Sequence, residues 1–254
     1  MMLALRSQAH ALRTHGALCR SPRFRERRAA RLSTTTRCDG MVGVGRDISD
    51  SCDRQQVLLT SNGLSTDELK TTFWDSLHTS KGHGRTVVLG YIPTALLAPS
   101  GTSNKSRGEQ RRRNRYEAKK RAQVLSEDLG LSVKMVDIAV SVGSEMQDAL
   151  SAVDCLYVDG GNTFYLQYHC TRSGFGALAR DLVSNGAVYV GRSAGAIVSG
   201  RSASTALWKG WDDPTVVPLD VSDARALAGM GLVPCSVFPH YSGRWEALVG
   251  ERRG

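Results

Sequence analysis

The chain has 254 residues, 41% of them hydrophobic, enough to bury one sizeable core or one domain with a tail. No stretch approaches the roughly 18 consecutive apolar residues of a membrane span, so the sequence predicts no transmembrane helix. The formal charge of +9 is concentrated at one end: residues 1–38 hold nine arginines and a single acid, Glu26, which puts +8 before residue 39 and +1 after it.

That N-terminal stretch is rich in Arg, Ala, Ser and Thr, nearly free of acids, and lacks the apolar run of a secretory signal. This composition predicts a basic, disordered leader over residues 1–50, an organelle transit peptide addressed to mitochondrion or chloroplast. Without it the protein would be cytoplasmic, and a basic arm for nucleic acid is the other reading of the segment. The six cysteines (Cys19, Cys38, Cys52, Cys155, Cys170, Cys235) show no metal-ligand or C-x-x-C spacing and read as reduced thiols, two or three of them in the core.

From residue 55 onward apolar strands alternate with helical segments. Strands are predicted at Val57–Ser61, Thr86–Ile92, Leu131–Ile138, Cys155–Val158, Ala187–Val190 and Leu232–Pro239. Helices are predicted at Thr66–Thr79, along the second half of the basic cluster Lys105–Arg121 into Leu129, and at Glu145–Ala152, Thr163–Ser173 and Phe175–Asn185. Continuous apolar strands between helices describe an α/β fold, a mostly parallel sheet with helices on both faces. The basic cluster carries nine positive charges against Glu109 and Glu117, but holds a single aromatic residue, Tyr116, where a series of stacking platforms would need several. It reads as a solvated helix face, with no nucleic-acid site.

Ligands of such sheets lie beyond the carboxyl ends of the strands. Two motifs fall there. In Val190-Gly-Arg-Ser-Ala-Gly-Ala196 a strand stops, turns sharply and enters a helix, the sequence form of a nucleophile elbow with Ser193 at its tip. Gly191 and Gly195 leave room for that turn. A phosphate-binding or structural turn is the alternative. Asp159-Gly-Gly-Asn-Thr163 also joins a strand to a helix; its Gly pair lets backbone N–H groups approach a substrate, while Asn162 or Thr163 can equally serve as a helix cap. A serine needs a base, and His240, at the end of an apolar strand and fixed by Pro239, is the best placed of six histidines. A buried structural histidine remains open for it at this point. His10 and His15 lie in the leader, His78 and His83 flank a loop, and His169 sits inside a helix.

Cys155-Leu-Tyr-Val-Asp-Gly-Gly-Asn-Thr-Phe-Tyr-Leu166, then Val190-Gly-Arg-Ser-Ala-Gly-Ala196, then Phe238-Pro-His-Tyr241, resemble the aspartyl dipeptidase (dipeptidase E) family of serine peptidases, to which cyanophycinases are a sister group. The resemblance runs in order from about Gln56 to the C-terminus. It implies a flavodoxin-like fold of the class I glutamine amidotransferase type over residues 55–254, with serine in place of the cysteine nucleophile. It implies Ser193 as nucleophile, His240 as general base and then acid, and the backbone N–H groups of Gly161 and Ala194 as oxyanion hole. It further implies hydrolysis of dipeptides with an N-terminal aspartate, with no metal or cofactor. The expected partners are a short acidic peptide as substrate and a second copy in a homodimer, with neither nucleic acid nor membrane.

The chain departs from the family in one respect. Family members carry a carboxylate that orients the imidazole, in a segment after the histidine; here Gly254 follows soon after His240, so the C-terminal part reads as truncated. Asp212 and Asp213 are candidates for an acidic partner, and Asn162, Arg192 and Arg244 for gripping the substrate. A relative impaired in catalysis that binds a ligand or partner is the alternative function.

Overall fold

The computed structural model describes residues 2–6, 12–14, 55–81, 86–99 and 107–252. Along the peptidase-like region the elements are β3 (Val57–Thr60), α1 (Asp67–Lys81), β4 (Val88–Ile92), α2 (Arg107–Leu129), β5 (Ser132–Met135), α3 (Gly143–Leu150), β6 (Cys155–Val158), α4 (Thr163–Arg172), α5 (Phe175–Ser184), β7 (Val188–Arg192), α6 (Ala194–Ser199), α7 (Ala206–Lys209), β8 (Ser236–Tyr241) and α8 (Glu246–Glu251). Two short strands precede them, β1 (Met2–Arg6) and β2 (Leu12–Thr14).

Five parallel strands form the centre in the order β3-β7-β6-β4-β5, and β2 lies antiparallel against β3. Successive residues of each strand serve opposite faces, because the side-chain period of a strand is two. Val57, Leu59, Leu156, Val158 and Tyr189 pack into one cluster with Met146, Leu166, Phe175, Ala179 and Val183 of α3, α4 and α5. Their neighbours Leu58, Cys155, Tyr157, Val188 and Val190 pack into a second with Leu69, Phe73 and Leu77 of α1. The strands are therefore buried on both sides, which is why they read as unbroken apolar runs. The long basic helix α2 reaches this second core through Ala122, Leu125 and Leu129, while Arg111, Arg112, Arg113, Arg115, Lys119 and Lys120 are exposed.

Three expectations are adjusted. The strand after α2 covers only Ser132–Met135, because the chain leaves the ladder where Asp137 and Thr94 pair through their side chains. The strand before His240 begins at Ser236 and runs through the histidine to Tyr241; it lies outside the central sheet, parallel to β1. Leu232 and Val233 are buried in the turn that precedes it. The disordered leader does not extend to Met2–Arg6 or Leu12–Thr14, which are strands, and the rest of residues 1–50 lies outside the described residues, as do His10, His15 and His83. Cys155, Cys170 and Cys235 are buried in the core and none of them is in a disulfide; the other three cysteines lie outside the described residues. No helix among the described residues is long and apolar enough to cross a membrane.

Candidate active site

β7 and β6 run side by side with Val158 opposite Gly191, so the segments that leave their carboxyl ends emerge together. At the end of β7 the backbone of Ser193 takes φ 49° and ψ −105°, a sparsely populated conformation for a residue with a side chain. The turn is forced by contact. A Cβ on Gly195 would stand 2.1 Å from the carbonyl oxygen of Val158, and one on Gly191 would stand 2.8 Å from that of Gly195. The Tyr189 hydroxyl donates to the Gly195 carbonyl at 2.7 Å, and Ser193 N–H donates to Thr60 at 2.9 Å, tying the elbow to its own strand and to β3. Thus Ser193 is held at the sheet edge with its hydroxyl outward.

His240 comes to it from β8. Its ring Nε2 lies 2.9 Å from Ser193 Oγ. The histidine is itself in the left-handed region, φ 55°, and its backbone N–H donates to Ser61 Oγ just beyond β3 at 2.9 Å. Two residues 47 apart, each in a strained conformation, thus meet at hydrogen-bond distance. Burial, then the positive charges of Lys209 and Arg192, lower the imidazolium pKa to about 4, so the ring is neutral at pH 7 and free to accept a proton. Trp211 stands 5.8 Å from the imidazole, centroid to centroid. Among the described residues no carboxylate hydrogen-bonds the other ring nitrogen.

The loop after β6 completes the site. Gly160 presses on Ser193: a Cβ there would lie 3.0 Å from that of the serine. Gly161 has φ 145° and would drive a Cβ to 2.2 Å from the Ala95 carbonyl, so only glycine fits. Gly160 N–H donates to Asp159 Oδ1 at 2.7 Å, which leaves the next amide, Gly161, as the one beside the pocket. Ala194 opens α6, and a first-turn N–H has no acceptor within its own helix.

Asp159 sets the position of this loop. It is 1% exposed, and its Oδ1 also accepts from Arg192 at 2.7 Å, while Oδ2 accepts from Arg121 at 3.0 Å and from the Tyr91 hydroxyl at 2.6 Å. Burial by itself would raise the carboxyl pKa; the two guanidiniums and the tyrosine together bring it below the usual range, and the group is ionised. Arg192 therefore points away from the Ser193 hydroxyl, into a separate cavity shared with Arg121 and Tyr157.

Ser193 and His240 open on a small cleft lined also by Gly161, Thr163, Lys209 and Asp212. The other expected residues are distributed unevenly around it. Asn162 is committed to the fold: Oδ1 caps α4 on Tyr165 N–H at 2.9 Å and Nδ2 donates to the Asp213 carbonyl at 2.8 Å. Asp213 caps the 3-10 turn Pro214–Val216 through Thr215. Asp212 faces the cleft, but its Oδ2 accepts from Thr163 N–H at 2.9 Å and makes no hydrogen bond to His240. Its carboxyl pKa is raised by burial against the opposing Thr163 bonds. Arg244 is exposed and stacks over Trp245 and Trp211. His169 is buried between Tyr165 and Tyr168, away from the cleft, and His78 is exposed on α1.

Sequence reasoning missed Lys209. It ends the four-residue helix α7, donates to the Pro239 carbonyl next to His240, and is half-buried in the cleft. A lone lysine after Leu-Trp carries no signal of this; only the fold brings it to the histidine. Among the described residues, no group of three or more His, Cys, Asp or Glu side chains gathers in a way that could hold a metal ion.

Comparison with known proteins places the chain among peptidases. Over 188 residues the chain is 32% identical to the uncharacterized peptidase Lmo0363 of Listeria monocytogenes, covering 74% of this chain and 78% of that one. It is 31% identical to peptidase E of Haemophilus influenzae over 138 residues, 54% of this chain and 57% of the relative, so that match spans little more than half of the relative's length. The fold is that of a candidate peptidase E protein from Listeria monocytogenes EGD-e, with a TM-score of 0.53 at 24% identity over 77% of this chain and 84% of the other. The family model for peptidase family S51 matches residues 57–252, spanning the Gly-Gly loop, the elbow and the histidine, and the chain belongs to that family of peptidases.

Proposed function

We propose that this peptidase is of the serine type and cleaves short peptides with an N-terminal aspartate. The observation that carries the reading is the 2.9 Å approach of Ser193 Oγ to a neutral His240 at the floor of an open cleft. Ser193 Oγ bonds to the scissile carbonyl carbon as its proton passes to Nε2 of His240. The oxygen so charged is met by the N–H groups of Gly161 and Ala194; such donors contribute on the order of 3–4 kcal/mol each to a transition state. Collapse breaks the C–N bond, and His240 returns the proton to the departing amine. Water then attacks the acyl-serine with His240 again as base, releasing the acid and restoring the hydroxyl.

The site requires neither metal nor cofactor for these steps. We place the reaction in mitochondrion or chloroplast on the strength of the arginine-rich leader, with an acidic peptide as substrate and a homodimer as the working assembly. Incubation with an Asp-X dipeptide should release free aspartate, and Ser193→Ala should reduce the rate by at least about 100-fold while leaving the far-ultraviolet circular dichroism unchanged. Aspartate release at the original rate by that variant would refute the serine mechanism. A cyanophycin-like polymer assayed in parallel should be cleaved more slowly.

A second reading draws on the second nitrogen of His240, which no carboxylate among the described residues orients. Loss of the orienting acid costs about 10⁴ in turnover in well-studied triads. On this reading the chain binds a ligand or partner in the same cleft and turns it over slowly or not at all.

A further inference from the structure

Lys209 occupies a position that asks for an anion. Its ammonium lies 4.2 Å from the ring centre of Phe238, 4.4 Å from that of Trp211 and 5.5 Å from that of Trp245, and it donates to the Pro239 carbonyl. Three aromatic faces and one carbonyl shield the half-buried charge from part of the water around it, and no carboxylate among the described residues forms an ion pair with it. A cation removed from water without a counterion is costly, and aromatic faces offset only part of that cost. Burial, with the neighbouring charge of Arg244, brings its pKa down to about 8, so it still carries its proton at pH 7. Asp212 lines the same cleft, where its carboxylate is close enough to favour the charge on Lys209.

We infer that Lys209 receives a carboxylate of the substrate, making it the residue that selects acidic peptides in the Ser193–His240 cleft. This rests on the reading of that cleft as the peptidase site. A cation and a carboxylate in one small cleft complement an aspartyl group, which brings a carboxylate and an ammonium. The position also couples selection to chemistry. Lys209 is bonded to the residue before His240 and shares Trp211 with it, so its positive charge opposes the imidazolium that forms as Ser193 attacks. A substrate carboxylate seated on Lys209 cancels that opposition. Acidic peptides should gain in kcat as well as in KM.

Binding to the Ser193→Ala protein, measured by titration calorimetry, tests the assignment without turnover. Three probes serve: Asp-Ala, Asn-Ala, which lacks the side-chain carboxylate, and Asp-Ala amide, which lacks the C-terminal one. Adding Lys209→Met should weaken Asp-Ala by at least about tenfold and abolish its advantage over Asn-Ala; adding Lys209→Arg should retain most of it. Loss of the advantage over Asp-Ala amide alone would put Lys209 on the C-terminal carboxylate, which every dipeptide carries, and would overturn its role in selecting acidic peptides. Asp-Ala affinity unchanged by Lys209→Met, equal weakening of all three probes, or no binding of Asp-Ala to the parent would each overturn the inference. Lysine-dependent binding in a protein whose native form hydrolyses none of the peptides would sink the peptidase reading and leave this one standing. Serine-dependent hydrolysis with acidic preference intact in Lys209→Met would do the reverse.

Discussion

Cations flank Ser193 on two sides, and the two groups are built on opposite principles. On one side Arg192 and Arg121 converge on Asp159, each at hydrogen-bond distance, with Tyr91 satisfying the same carboxylate. On the other, Lys209 is enclosed by aromatic rings with no carboxylate paired to it among the described residues. A closed ion cluster fixes geometry: it ties the strand end at Arg192 to the loop at Gly160, so that loop and Ser193 cannot drift apart. An unpaired, half-buried cation has energy to gain from a ligand. The paired side is scaffold, and the unpaired side is the receptor under the inference that Lys209 takes a substrate carboxylate.

The largest expected effect comes from breaking the paired side. Asp159→Ala leaves two partly buried guanidiniums without a counter-charge and removes the acceptor of Gly160 N–H, so unfolding in urea should show a loss of about 3 kcal/mol. Activity should fall with it, because Gly161 and Ser193 lose their common anchor. The same cluster should make stability pH-dependent. The carboxyl pKa of Asp159 is depressed in the fold, so its contribution is complete above the unfolded value near 3.9 and disappears as pH falls through the folded one.

Next in size is the response of the oxyanion loop. Gly161→Ala meets both a left-handed backbone and the Ala95 carbonyl, and kcat should drop by about 10²–10³ as the donor is displaced. On the receptor side the pH–rate profile discriminates. With the His240 imidazolium pKa near 4, kcat/KM should climb through pH 4 and stand level to pH 7, where an ordinary histidine would give a midpoint near pH 6.5. Lys209→Met removes one of the two charges that oppose the imidazolium and should move that midpoint upward. Arg244→Ala should do least: the guanidinium is exposed, and its stacking on Trp245 is worth about 0.5–1 kcal/mol in thermal unfolding.

The contrast between the two sides also marks how far sequence reasoning reaches. The elbow was legible because a doubly buried strand such as Val188–Val190 must be apolar throughout, and the glycines that follow are required by contacts within a few residues. His240 was legible as the end of an apolar segment, although its strand proved to lie outside the main sheet. Asn162 and Asp213 emerged as caps, a role the residue types announce as readily as substrate binding. What the sequence did not reveal depends on long-range assembly. Arg192 was expected to grip substrate, but Asp159, 33 positions earlier, turns it into the scaffold. Lys209 joins α7 to residues 29 and 36 positions later, Phe238 and Trp245, and nothing in its local spacing reports that meeting.

An activated hydroxyl at Ser193 is tested most directly by covalent labelling. Treatment with a serine-reactive phosphonate, followed by peptide mass mapping, should find the adduct on Ser193, suppressed by an Asp-X dipeptide and lost in His240→Ala. An unlabelled Ser193 in folded protein, or labelling that persists at full rate without the histidine, would contradict it.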